Sequence, residues 1–235
     1  MGPALGWGAL AASSLVIGAV LGIGRPWPAR LIGTVLAFGA GALISAVSFD
    51  LAEEGFDLGR PGTVGLGLGL GAMTYFLLDR LVERSGSGVD KTDAGAALAL
   101  GAFLDGIPEQ LVLGIGIAAG EGVSVGLLAA IFVSNLPEAI GSATDMKSAG
   151  RPGRDITRLW IGVAVVCTLA TVLGYAIGDG TSGDLRATID GFAAGALLVM
   201  LIDSMIPEAV AKAGRPAGLV TVLGFAVAAS LSGVS

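Results

Sequence analysis

Histidine is absent from the 235 residues, and Cys167 is the single cysteine. The first absence removes the imidazole that zinc fingers and Ser-His dyads need, and the second excludes an internal disulfide. Charge is scarce as well: 14% of the residues are charged, where soluble domains carry about 25%. With 54% hydrophobic residues and a mean hydropathy of +0.84, the chain lacks the polar surface of a dissolved globule. No loop is long enough for a separate domain, so residues 1–235 read as one transmembrane domain with its function inside the helices. The first apolar run has no basic residue ahead of it and has the length of a spanning helix, so no cleavable signal peptide is expected.

Glycine is abundant, at 40 residues, and lies within apolar runs such as Gly65-Leu66-Gly67-Leu68-Gly69-Leu70-Gly71. No strand–turn–helix context surrounds these glycines, which argues against nucleotide binding. Small residues at this density let membrane helices approach closely. A crossing takes about 20 mainly apolar residues. Eight candidates follow, near 4–24, 30–52, 61–80, 94–119, 122–146, 157–178, 187–211 and 216–234. The basic residues test that count. Arg25, Arg30, Arg80, Arg84, Lys91, Lys147, Arg151, Arg154, Arg158, Lys212 and Arg215 all fall on one side, leaving Arg60 and Arg186 on the other. The positive-inside rule makes the first side cytoplasmic and puts both termini outside. The expected setting is a multi-pass protein of the cell membrane. Trp7, Trp27 and Trp160 lie near proposed span ends, where indoles prefer to sit.

Similar segments recur in opposite directions. Gly41-Ala42-Leu43-Ile44 followed by Asp50 and Glu53-Glu54, in span two, is matched by Gly195-Ala196-Leu197-Leu198 followed by Asp203 and Pro207-Glu208, in span seven. Phe103-Leu104-Asp105-Gly106-Ile107-Pro108-Glu109 is echoed 29 residues later by Phe132-Val133-Ser134-Asn135-Leu136-Pro137-Glu138. Similar sequence running in opposite directions is the mark of an inverted repeat. The expected fold is therefore an all-α integral membrane protein of eight transmembrane helices, with spans 1–3 related to spans 6–8 and spans four and five as the central pair.

That central pair carries charge where charge is expensive. Asp105 and Glu109 are four apart and share a helix face, as do Ser134 and Glu138, with Asn135 one step round and Ser142 and Asp145 continuing the stripe. Pro108 and Pro137 cannot donate the usual helix hydrogen bond, which frees the carbonyls of Leu104 and Val133. Each acid at mid-membrane costs roughly 2.5–3.5 kcal/mol on the insertion scale, so three cost on the order of 8–10 kcal/mol. Protonation, a water-lined cavity, a bound divalent cation or hydrogen bonding across helices could each relieve that cost. Intramembrane ionisable groups mark an ion path by default. Asp50, towards the outer end of span two, and Asp203, in the inner half of span seven, would extend the path. Glu53, Glu54 and Glu208 lie at span boundaries, where a solvated helix end is an equal reading.

With these motifs in place the whole chain resembles the ZIP (zinc/iron-regulated transporter-like) family of divalent metal transporters. The resemblance is carried by Asp105-Gly106-Ile107-Pro108-Glu109 and Ser134-Asn135-Leu136-Pro137-Glu138, which look like the family's two Pro-Glu-Gly segments around a one- or two-metal centre. It implies a metal site of Asp105, Glu109, Ser134, Asn135 and Glu138, with Asp203 near the inner release path; Asp50, read from its place in span two, would be the outer entrance. Asp105 stands in place of the family's histidine, and Gly106 in place of its usual asparagine. An all-oxygen site suits harder cations such as Mn²⁺ or Mg²⁺ over Zn²⁺, although availability can override preference. The resemblance implies a transporter and not an enzyme, with no bound cofactor and a divalent ion as substrate; Mn, Fe, Zn, Mg and Cd are not distinguished. Expected partners are the metal ion and the lipid bilayer, with a homodimer left open and nucleic acid not expected. The alternatives are a carrier of the same fold for another solute or coupled to protons and, further off, a membrane hydrolase using Asp105 and Glu109.

Overall fold

The structure, a computed structural model, describes residues 1–86, 94–118, 124–181 and 183–232, the side chains of 82–86 and 94–105 lying outside that description. The described residues form eight helices and no strand: α1 (Gly2–Gly24), α2 (Ala29–Leu58), α3 (Pro61–Gly86), α4 (Ala94–Ala118), α5 (Val125–Ser148), α6 (Gly153–Gly178), α7 (Gly183–Ala213) and α8 (Ala217–Ser232). In hydrocarbon a backbone must satisfy its own polar groups, and runs of Ala, Leu, Val and Gly do so as helices. Punctuation is local. Pro28 and Pro152 stand at the N-caps of α2 and α6, where a missing N–H matters least. Ser124 caps α5, its hydroxyl oxygen accepting from the Leu127 N–H at 3.1 Å. Gly214 ends α7 with φ at 73°, a left-handed conformation that glycine adopts without strain.

Six helices among the described residues, α1, α2, α3, α5, α6 and α7, are long and apolar enough to cross a membrane. The chain is thus a multi-pass membrane protein. The other two proposed crossings fall short for separate reasons. Residues 94–105 of α4 lie outside the side-chain description, leaving the apolar stretch Gly106–Ala118. The 16 described residues of α8 span about 24 Å at 1.5 Å per residue, short of the roughly 30 Å hydrocarbon core, and residues 233–235 lie outside the description.

Several helices are longer than the sequence indicated, and two of them carry candidate site residues. Span two, placed at 30–52, runs on to Leu58, and span seven, placed at 187–211, begins at Gly183. Each contains a π-helical segment, Val47–Glu53 in α2 and Leu201–Met205 in α7, and these hold Asp50 and Asp203 respectively. Such widened turns are rare and cluster at functional sites. For α7 there is a local cause: Pro207 offers no N–H to the Asp203 carbonyl one turn earlier, which loosens the ladder there. The early start of α7 also brings Arg186, placed in a loop by the sequence reading, into the helix with its side chain 4% exposed. Trp160 departs from the interfacial position expected of it: it is wholly buried with Leu15, Ala139, Ala143 and Cys167 among α1, α5 and α6.

Glycines decide which helices touch. A Cβ on Gly41 of α2 would lie 1.8 Å from the Thr221 carbonyl oxygen of α8, and one on Gly224 of α8 would lie 2.0 Å from the Phe38 carbonyl oxygen of α2. Gly71 and Gly195 make the same exchange between α3 and α7, with Phe192 and Leu68 carbonyl oxygens at 1.9 and 2.2 Å. Gly114 and Gly174 do so between α4 and α6, against Thr171 and Leu111. On α1, Gly18 and Gly22 lie against the Leu136 and Ile140 carbonyls of α5. The helices accordingly gather in two groups. In one, α1 packs on α5 and α6, and α4 on α6 and α5; in the other, α2 packs on α8 and α7, and α3 on α7. The groups meet chiefly where α2 crosses α5, and to a lesser extent where α4 meets α7.

Candidate metal centre

α4 and α5 bring the two glutamates to the middle of the fold. Glu109 is 1% exposed and Glu138 8% exposed, in helices that continue through Pro108 and Pro137. Ser134, one turn before Glu138 on α5, is wholly buried, and its hydroxyl is 3.1 and 3.3 Å from the two Glu109 carboxylate oxygens and 3.0 Å from the Ile131 carbonyl. Asn135 is 1% exposed, and its side-chain nitrogen has no hydrogen-bond partner among the described residues. The Ser142 hydroxyl, one turn beyond Glu138, is likewise buried without one. α2 roofs the site: a Cβ on Gly39 would stand 3.0 Å from the Ser134 Cα. Buried polar atoms lacking partners are costly, and those of Asn135 and Ser142 lie on the helix that carries Glu138.

The structure therefore joins Glu109 to Ser134 across α4 and α5, with Asn135 and Glu138 buried on the same helix as Ser134. Asp105 lies on α4 one turn before Glu109, and its side chain is outside the described residues. Among the described residues no three His, Cys, Asp or Glu side chains form a group able to hold a metal ion. What is described is thus a carboxylate-lined polar pair of helices rather than a complete ligand cage.

Asp50 and Asp203 sit elsewhere. Asp50, part-buried, accepts a hydrogen bond from the Ser124 hydroxyl at 3.0 Å, tying the π segment of α2 to the N-cap of α5. This bond joins the two helix groups at the end opposite the basic residues. Asp203 is exposed and lines a groove of about 710 Å³ between α3 and α7, with Leu68, Ala72, Met73, Phe76 and Ile202 among its other walls. That groove is separate from the Glu109–Ser134 contact.

Three features escaped the sequence reading. Gln110 and Thr171 join α4 to α6, the Thr171 hydroxyl donating to the Gln110 amide oxygen at 2.5 Å. Cys167 of α6 lies over α4, its sulfur 3.0 Å from where a Cβ of Gly106 would be. Arg186 forms a buried ionic cluster: its Nε is 2.9 Å from both Asp190 carboxylate oxygens, and a terminal nitrogen is 3.4 Å from Glu54 Oε1. The first and second depend on which helices meet, which no sequence spacing specifies. The third left a signal, because Arg186 and Asp190 are four apart in an apolar helix and must face one way. Glu54, for which a solvated helix end was an equal reading, is engaged in that cluster with its side chain 24% exposed.

Comparison with known proteins points the same way. No family model matches the chain. A protein of Arabidopsis thaliana bearing the name "Putative zinc transporter" is 29% identical over 184 residues, covering 74% of this chain. The chain spans 29% of the length of that curated relative. The likeness agrees with the family resemblance carried by the α4 and α5 motifs.

Proposed function

We propose that the chain is a divalent metal carrier of the ZIP type, moving its ion towards the cytoplasm through the carboxylate-rich site between α4 and α5. The observation that carries this reading is the burial of Glu109 and Glu138 on neighbouring helices, with Ser134 of α5 bonded to Glu109 of α4. Carboxylate, hydroxyl, amide and proline-freed carbonyl oxygens suit a hard divalent ion. Asp105 is assigned as a further ligand, Asp50 as an entrance group beside Ser124, and Asp203 as a group on the release side. The ion is substrate, not cofactor, and Mn, Fe, Zn, Mg and Cd all remain within the site's chemistry.

The fold is read as eight crossings with an inverted repeat, and the packing supports that. Exchanging α1 with α6, α2 with α7, α3 with α8 and α4 with α5 turns each principal pairing into another that exists: α1–α5 into α6–α4, and α3–α7 into α8–α2. The two π segments fall on the exchanged helices α2 and α7. Transport would proceed by moving one helix group against the other, with the basic end cytoplasmic and both ends of the chain outside the cell membrane. Cysteines near positions 88 and 152 should then be labelled only from the cytoplasm, and one near 182 only from outside. Opposite sidedness for 88 and 152 requires an odd number of crossings between them and refutes the eight-helix topology.

The function is tested by uptake of Mn²⁺, Zn²⁺ and protons into vesicles holding the purified protein. Divalent uptake is expected; proton flux without metal flux would favour the proton carrier instead. Selectivity gives a sharper check. Asp105→His adds a nitrogen ligand, which zinc favours, and removes a charge that holds hard cations. The Zn²⁺ over Mn²⁺ affinity ratio should rise, measured at a fixed pH because histidine ligates only when neutral. An unchanged ratio means that Asp105 does not face the ion.

A further inference from the structure

Lys212 is counted above only as one of the basic residues that orient the chain, yet the structure gives it an unusual place. A lysine near the end of a membrane helix ordinarily extends its ammonium outward to water and headgroups. Lys212 turns inward and is 26% exposed. Its stem is held because α7 lies directly on α2: a Cβ on Gly33 would come within 2.6 Å of both the Lys212 Cβ and the Ala213 nitrogen. Its head bonds Glu208 at 2.5 Å and reaches across to the other helix group, where a Cβ on Gly141 of α5 would lie 3.2 Å from the ammonium nitrogen. Gly141 shares the α5 face of Glu138, Ser142 and Asp145. Three residues on from Glu138, it lies about 4.5 Å nearer the basic end along the helix.

We propose that Lys212 is a tethered counter-cation that closes the basic end of the polar path, standing one turn beyond Glu138 where an ion leaving the site would pass. Glycine at 141 leaves room for the head, and Glu208 holds it there. With the site empty, the ammonium supplies positive charge to a face rich in carboxylates. A divalent ion in the site would repel it, so ion and lysine compete. This second part rests on the transport reading; the closure itself does not.

Two measurements separate the parts. In a Cys167→Ala background, Ser142→Cys is labelled with a small neutral thiol reagent from the basic side, without metal. Lys212→Ala should raise the labelling rate roughly tenfold, equivalent to about 1.4 kcal/mol of closing free energy. Lys212→Arg should leave it near the parent rate. Equal rates in all three proteins overturn the closure, whatever the protein carries. Mn²⁺ binding is then read from the metal-dependent rise in melting temperature. Lys212→Gln, which keeps the volume and removes the charge, should tighten Mn²⁺ binding by about tenfold or more, with Lys212→Arg like the parent. Unchanged affinity, or equal changes in Gln and Arg, overturns the competition. Closure without Mn²⁺ or Zn²⁺ binding in any variant supports the plug and refutes the metal-carrier reading.

Discussion

Glu138→Ala and Glu109→Ala are each expected to abolish divalent uptake while the protein still inserts and folds. Loss of a direct ligand should weaken binding by about 100-fold or more, since even partners behind the ligands contribute 10–100-fold. Stability should move little, and upward if at all, because removing an intramembrane carboxylate relieves roughly 2.5–3.5 kcal/mol of insertion cost. The structure explains why the neighbours survive. When Glu109 is truncated, Ser134 keeps its hydrogen bond to the Ile131 carbonyl at 3.0 Å, so no hydroxyl is stranded. If the glutamates were structural hydrogen-bonding groups, the variants would instead lose stability and whatever folded would still transport. Thermal unfolding with and without metal separates the two. An ion at 100 times its Kd should stabilise the parent by about 2.7 kcal/mol and the variants hardly at all. If no divalent ion shifts the parent's unfolding, the carboxylate site does not bind metal.

Arg186→Met should have the opposite profile, a large loss of stability. Arg186 and Asp190 are 4% and 0% exposed, and two contacts of 2.9 Å join the guanidinium to the carboxylate. The 3.4 Å contact to Glu54 extends the cluster from α7 to the far end of α2. Removing the arginine leaves the Asp190 charge buried without its guanidinium, and breaking such a pair costs about 3–5 kcal/mol. The double change Arg186→Met with Asp190→Leu removes both charges at similar volume and should recover most of that loss, since buried pairs are often replaced at little net cost. Unfolding in detergent tests both. An Arg186→Met protein as stable as the parent would show that the cluster contributes nothing, and failure of the double change to recover would assign the loss to packing.

The Arg186 cluster also shows where sequence reasoning stopped. An arginine beside a span boundary looks like a loop residue when only hydropathy is counted, because a window average cannot tell a solvated charge from one paired a turn away. Lys212 was hidden for the same reason. Trp160 misled in the other direction: closeness to a span end suggested the interface, but the helix face on which it lies packs against α1 and α5. The π segments were invisible apart from Pro207, since they depend on how the backbone settles between neighbours rather than on a local residue preference.

By itself the sequence determined that the chain is helical and membrane-embedded, because 54% hydrophobic and 14% charged residues in long runs leave no other way to satisfy the backbone. It also singled out the carboxylates and prolines within apolar runs, since such groups are costly in hydrocarbon. Only the tertiary structure decided which of them meet. Glu109 and Ser134 face each other across two helices, whereas Asp203, similar in sequence context to Asp50, lies on an exposed groove. Helical periodicity sets the face a residue occupies on its own helix. Which face then meets which partner is set by the glycines that let particular pairs of backbones approach, and that is a property of two surfaces together.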